Sequence, residues 1–178
     1  GAANDGTTLG IFTSVLTSAL SAQSVTVNFS PTTPCRAIYI YRLAPAAGEV
    51  ARFYSVGAGT KTNGSNNASA PAVTIPSSNL VLIGAGSVET NNALSSTSSA
   101  GLWSTLVTSV ASAGGGAANS QSVGSQYIRN TTGSYTFGMS WTGTTDSVMN
   151  YIMVYAESVA PAQGTLTLTG QEIGRAHV

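Results

Sequence analysis

Ser134-Tyr-Thr-Phe-Gly-Met-Ser-Trp141 decides the fold class. Tyr135, Phe137, Met139 and Trp141 fall on one side of an extended chain, and Ser134, Thr136, Gly138 and Ser140 fall on the other. That two-residue period is the mark of a strand with one face buried. Ser24-Val-Thr-Val-Asn-Phe29 repeats it, with Val25, Val27 and Phe29 inward. Ala37-Ile-Tyr-Ile-Tyr41 and Tyr151-Ile-Met-Val-Tyr155 are apolar on both faces. They predict central strands covered on both sides, or strands whose aromatic face meets something other than core.

Outward from these runs, Leu9–Thr13, Val50–Val56, Val73–Ile75, Leu80–Ile83 and Val123–Arg129 are further strand candidates. Turn chemistry separates them at Pro31-Thr-Thr-Pro34, Asn63-Gly64, Pro76-Ser-Ser-Asn79 and Thr131-Thr-Gly133. Gly101 to Val110 fits either a short helix, through Leu102, Leu106, Val107 and Val110, or a strand; its Ser, Thr and Val are poor helix formers. Three stretches rich in small polar residues predict loops: Gly57 to Pro71, Ser87 to Ala100 and Ala113 to Ser122. The expected architecture is one all-β domain over residues 1–160, an antiparallel β-sandwich of the jelly-roll kind. It would hold about eight to ten strands and at most one short helix. Residues 161–172 read as a linker or the start of a following segment. Ile173-Gly-Arg-Ala-His-Val178 matches the translation of a short-read sequencing adapter, as expected where a frame from environmental DNA runs into library adapter.

Composition excludes more than it identifies. Of 178 residues 42% are apolar and only 7% charged, with net charge zero. Balanced, sparse charge gives no footprint for nucleic acid, and no run of about 20 apolar residues predicts a membrane helix. The single histidine, His177, lies in the adapter-like tail, and Cys35 is the single cysteine. Without imidazole or a thiol pair, Ser-His-Asp or Cys-His catalysis, an internal disulfide and a thiolate zinc site have no residues to use. Gly57-Ala-Gly59 and Gly84-Ala-Gly86 do not complete a dinucleotide fingerprint, so no cofactor is expected. No acidic run of the calcium-loop type occurs either, and no metal ligand is assigned.

Glu49, Glu89 and Glu157 flank apolar runs, yet nothing in their spacing makes the carboxylate pair that glycoside hydrolysis needs. The chain is therefore expected not to be an enzyme. Aromatic rings beside amides suit a different task, because a pyranose face stacks on a ring while amides bond its hydroxyls. Trp103, between two polar loops, and the neighbours Gln126 and Tyr127 are candidate sugar contacts. Asn66, Asn67, Asn91 and Asn92 of the polar loops complete the candidate set. Arg36 and Arg42 share a parity with Ile38 and Ile40, an arginine-rimmed apolar strip of the kind found at protomer interfaces.

The order of several phrases resembles a known class. Ser24-Val-Thr-Val-Asn and Ala37-Ile-Tyr-Ile-Tyr precede a Gly/Asn loop and Pro71-Ala-Val-Thr-Ile-Pro-Ser-Ser-Asn-Leu-Val-Leu82. Gly101-Leu-Trp103-Ser, Ser125-Gln-Tyr127 and Gly133-Ser-Tyr-Thr-Phe137 follow, then the aromatic strand through Tyr155. Over residues 7 to 158 this looks like the jelly-roll, lectin-like β-sandwich modules of phage tail fibres and other virion proteins. The resemblance implies a non-catalytic structural or adhesive module at a virion surface or outside the cell. It also implies a homo-oligomer, with a trimer as first expectation, contacts to other virion proteins, and a host-surface glycan as ligand. Such modules share no fixed set of binding residues. The alternatives are a secreted carbohydrate-binding module attached to a larger enzyme or cell-surface protein, and a purely structural capsid or tail subunit.

Overall fold

One long strand organises the molecule. The computed structural model describes residues 7–14, 26–28, 37–57, 59–99, 101–112 and 120–158. Among these, nine strands and no helix occur: β1 (Glu49–Val56), β2 (Thr60–Ser69), β3 (Val73–Ile75), β4 (Leu80–Val88), β5 (Ser95–Ser96), β6 (Val107–Ser112), β7 (Ser120–Arg129), β8 (Gly133–Tyr135) and β9 (Gly138–Ser158). β9 is 21 residues long and pairs with β1 and β2 along one edge and with β4 and β5 along the other. β7 adds to β4, and β6 closes the row.

Every pairing is antiparallel, and the ladders join end to end. Glu49 faces Ser158, Gly57 N donates to Tyr151 O, Ser69 faces Gly138, Ala70 N donates to Phe137 O, and Ile75 faces Gly133. Residues 49–75 and 133–158 are thus one ribbon. The other edge behaves alike: Leu80 faces Tyr155, Glu89 N donates to Asp146 O, Ser95 faces Ser140, and Ser99 N donates to Thr136 O.

The ribbon has to fold over. Ile75 pairs at Gly133 and Leu80 pairs at Tyr155. Those partners would stand about 70 Å apart on a straight strand. The chain from Ile75 to Leu80 reaches no more than about 18 Å. The ladder is irregular at one level in both strands, between Thr62 and Asn67 of β2 and opposite them in β9. Gly64 (φ 60°) and Gly143 (φ 84°) supply left-handed backbone there.

Folding the ribbon lays Phe137 and Met139 across the floor formed by β4 and β7. A Cβ on Gly84 would stand 2.2 Å from Phe137 Cγ. The side chains of Met139 and Met149 fill the space above Gly86, and Met139 also covers Gly124. Around them close two apolar clusters, one containing Val88, Leu94, Phe137, Met139, Trp141 and Met149, the other Ile75, Leu80, Leu82, Ile128 and Met153. Burying each such side chain contributes about 1.5–3 kcal/mol. The result is the expected antiparallel β-sandwich, jelly-roll-like in its folded ribbon.

Several local expectations change. Ala37–Tyr41 is extended but joins no ladder; Ile38 and Ile40 are exposed, and the two phenols lie against β7. Leu9–Thr13 likewise forms no strand. Within Ser24–Phe29 only residues 26–28 are described; they make no ladder, and Val27 is exposed rather than inward. The expected loop from Gly57 to Pro71 contains β2, whose polar residues suit a strand open to water on one side. Gly101 to Val110 has no helix and enters β6 at Val107. Pro31–Pro34, Cys35, Arg36, residues 113–119 and everything from 159, including the adapter-like tail, lie outside the described residues.

Candidate binding groove

Alternation along β4, β7 and β9 sends Leu82, Gln126 and Met153 inward and Ile83, Tyr127 and Val154 outward. Two extended segments cross that outward face. Thr7 bonds Ser87 through their hydroxyls, and Gln121 Nε2 donates to Thr7 Oγ1 at 2.8 Å. Ile11 packs on Ile83, Ile152 and Val154. Farther along, Tyr39 Oη donates to Val123 O at 3.3 Å and Tyr41 Oη to Ser125 Oγ at 2.9 Å. Burial pushes the Tyr39 phenol up to about 12, and the neighbouring Tyr41 adds to the shift.

Past Tyr41 the cover lifts and leaves a groove of about 320 Å³ between residues 41–45 and the sheet. Its floor is aliphatic, with Val81, Ile83 and Val154. Its polar lining is Tyr41, Arg42, Asn79, Tyr127, Arg129 and Tyr155. Tyr41 meets Tyr127 edge to face, with centroids 6.3 Å apart at 82°. The Arg129 guanidinium stands 5.9 Å from the centroid of the Tyr127 ring, within cation–π range. Tyr155 and Asn79 are shared with a second hollow of about 400 Å³, walled also by Tyr54 and Pro76. Tyr54 and Tyr155 meet edge to face at 6.2 Å. Tyr155 has the parity of Met153 and packs on the inward cluster with Leu80, so the rings of Tyr54 and Tyr155 belong to the second hollow, on that side of the sheet, and not to the floor of the groove.

The charge of the groove is one-sided. Among the described residues, neither hollow is lined by Asp or Glu. Arg52, nearby on β1, is held by Glu157 at 2.7 Å, which raises the arginine's pKa. Arg42 and Arg129 meet no carboxylate among the described residues.

The residues proposed from sequence divide between two faces and the bend. Tyr127 lies in the groove. Gln126 is buried on the opposite face, its Oε1 accepting from Ser96 Oγ (2.7 Å) and Ser98 Oγ (2.9 Å) and its Nε2 donating to Ser104 O (2.7 Å). Trp103 is half-buried between the layers, 5.8 Å from the Phe137 ring, with Nε1 directed at Ser99 Oγ. Asn66 and Asn67 are exposed on β2 and bond each other at 3.0 Å. Asn91 is exposed, and Asn92 donates to Thr142 O at 2.8 Å beside the bend. Asn79, Arg129 and Tyr155 were not among those candidates. The parity of Arg129 with Tyr127 was the available signal for it, whereas Asn79 reaches the groove only through the fold of the ribbon.

The carboxylates sit elsewhere. Glu49 accepts from Ala46 N at 3.1 Å, and Glu157 holds Arg52. Glu89 lies beside Asp146 at the bend, where buried Asp146 accepts from Gly64 N. Among the described residues no three of His, Cys, Asp and Glu gather to hold a metal ion, and no helix is long and apolar enough to cross a membrane. No family model, curated protein or solved structure matches the chain.

Proposed function

We propose that the chain is a non-catalytic structural or adhesive module of the virion tail-fibre type, which presents its outward face to a host-surface glycan. The observation that carries this reading is the groove. Tyr127 and Arg129 on β7 stand opposite Tyr41, Arg42 and Asn79 of the connecting segments, and rings with nearby bond donors are what a sugar needs. Ligand contacts placed on strands hold their geometry better than contacts on loops. Tyr127 replaces Trp103 as the leading platform, because Trp103 is occupied by packing against Phe137. Exposed Ile38 and Ile40, on the same segment as Arg42, suit contact between copies in a homo-oligomer at a virion or extracellular surface.

Incubating the protein with a broad glycan library, with retention and cleavage read together by mass spectrometry, tests the reading. Retained and intact glycans, lost in Tyr127→Ala and kept in Trp103→Phe, are expected. Cleaved glycans would make the chain an enzyme, and silence across the library would leave a purely structural subunit.

A further inference from the structure

We infer that the groove selects an acidic saccharide, one whose sugar ring carries a carboxylate, over its neutral counterpart. This rests on the glycan reading above and adds the class of sugar. Two guanidinium groups, Arg42 and Arg129, line a groove that holds no Asp or Glu among the described residues. The third arginine of this region is already taken by Glu157, so the surplus of positive charge is local to the groove although the whole chain is neutral. Arg129 is stationed over the Tyr127 ring. A pyranose stacked near that ring would bring a carboxylate on its C5 or its anomeric carbon within reach of the guanidinium fork, which matches a carboxylate with two parallel bonds. Asn79, on the wall of the groove, is placed to bond the hydroxyls of the same sugar.

The test uses matched pairs that differ in charge alone. Tetragalacturonate, sialyllactose and a hyaluronan tetrasaccharide are each titrated beside their methyl esters into ¹⁵N-labelled protein, up to about 10 mM, which registers a Kd near 1 mM. At least one acid is expected to bind roughly tenfold or more tightly than its ester, with the ratio falling as salt rises. Shifts should centre on Tyr127, Arg129 and Asn79. The double variant Arg42→Gln with Arg129→Gln should bring the ratio to about one. Arg52→Gln, which lies outside the lining, should keep it. Equal affinity for acid and ester overturns the acidic selectivity and leaves the glycan reading standing. Equal binding of an oligo-aspartate peptide reduces the effect to bare charge attraction and also overturns it. Absence of shifts with every acid overturns the inference whatever the library gives, whereas a silent library overturns the glycan reading itself.

Discussion

Gly84→Ala is the sharpest probe of how the two layers meet. The added Cβ would stand 2.2 Å from Phe137 Cγ, 2.5 Å from Cδ2 and 2.6 Å from Cβ. Phe137 is 1% exposed, so its ring has no free space into which to retreat. The clash is with the root of a rigid side chain, and the layers must part or the backbone must shift. Overpacking of this kind costs about 1–3 kcal/mol, at the upper end here. Alanine in a strand recovers about 0.5–1 kcal/mol of backbone entropy. The net loss is about 2 kcal/mol, or a fall in Tm of roughly 4–8 °C. Gly59→Ala is the control, because its Cβ would meet nothing closer than 3.7 Å and the change should be neutral or slightly stabilising. Urea unfolding gives the midpoint and slope; a lower midpoint at constant slope is the expected signature. Adding Phe137→Ala to Gly84→Ala removes the Cγ and Cδ2 atoms that the new Cβ meets, so the two losses combine to less than their sum. A Gly84→Ala protein as stable as Gly59→Ala would mean that Phe137 does not lie on Gly84, and the folded ribbon would fall with it.

Two further outcomes are expected. Gln126→Leu removes the acceptor of the Ser96 and Ser98 hydroxyls and the donor to the carbonyl of Ser104, leaving an apolar side chain where three hydrogen bonds met. The loss is about 2–3 kcal/mol, and amide exchange across residues 96–104 should speed up roughly tenfold or more by mass spectrometry; unchanged exchange would refute the role of Gln126 as a clasp. Tyr39 is held protonated up to about 12 by the fold, against about 10 in the unfolded chain. Below pH 10 both states keep the proton and the group is neutral for stability; between 10 and 12 only the unfolded chain releases it, so rising pH favours unfolding. Tyr39→Phe should therefore flatten the decline in urea midpoint over that window, and an unaltered decline would show that the phenol is not buried against β7.

The fold class was legible because the parity of the Ser134–Trp141 run survives, although the structure divides the run between β8 and β9. Phe137, Met139 and Trp141 are all buried, as their parity requires. What misled was pattern without a partner. Ala37–Tyr41 alternates as well as any strand, yet its polar ends bond β7 through phenols rather than through backbone. A period of two marks an extended chain, and pairing is a separate matter of what lies alongside. β2 shows the converse. Thr60–Ser69 is all Thr, Asn, Ser, Gly, Lys and Ala, composition that reads as loop, and it is strand because β9 offers an edge along its whole length. For the candidate site, one-residue parity already separated Gln126 from Tyr127. The meeting of Asn79, Tyr155 and Arg129 depends on ladders linking positions far apart in the chain, which no local spacing records.

Because β9 is the partner of β1, β2, β4 and β5, its late position in the chain governs how the protein is born. As the polypeptide leaves the ribosome, β4 can close one edge on β7 and β3 can meet β8, but β1, β2, β5 and the other edge of β4 stay open until residues 138–158 follow. Nothing in the first half can close a ladder with its neighbour in sequence, since Glu49 waits for Ser158 and Leu80 for Tyr155. Such late closure makes folding slow and leaves nascent chains prone to pair with one another. Any version of the protein cut short before Gly138 would be released with β1, β2, β5 and one edge of β4 unmatched, a substrate for chaperones and proteases rather than a smaller module.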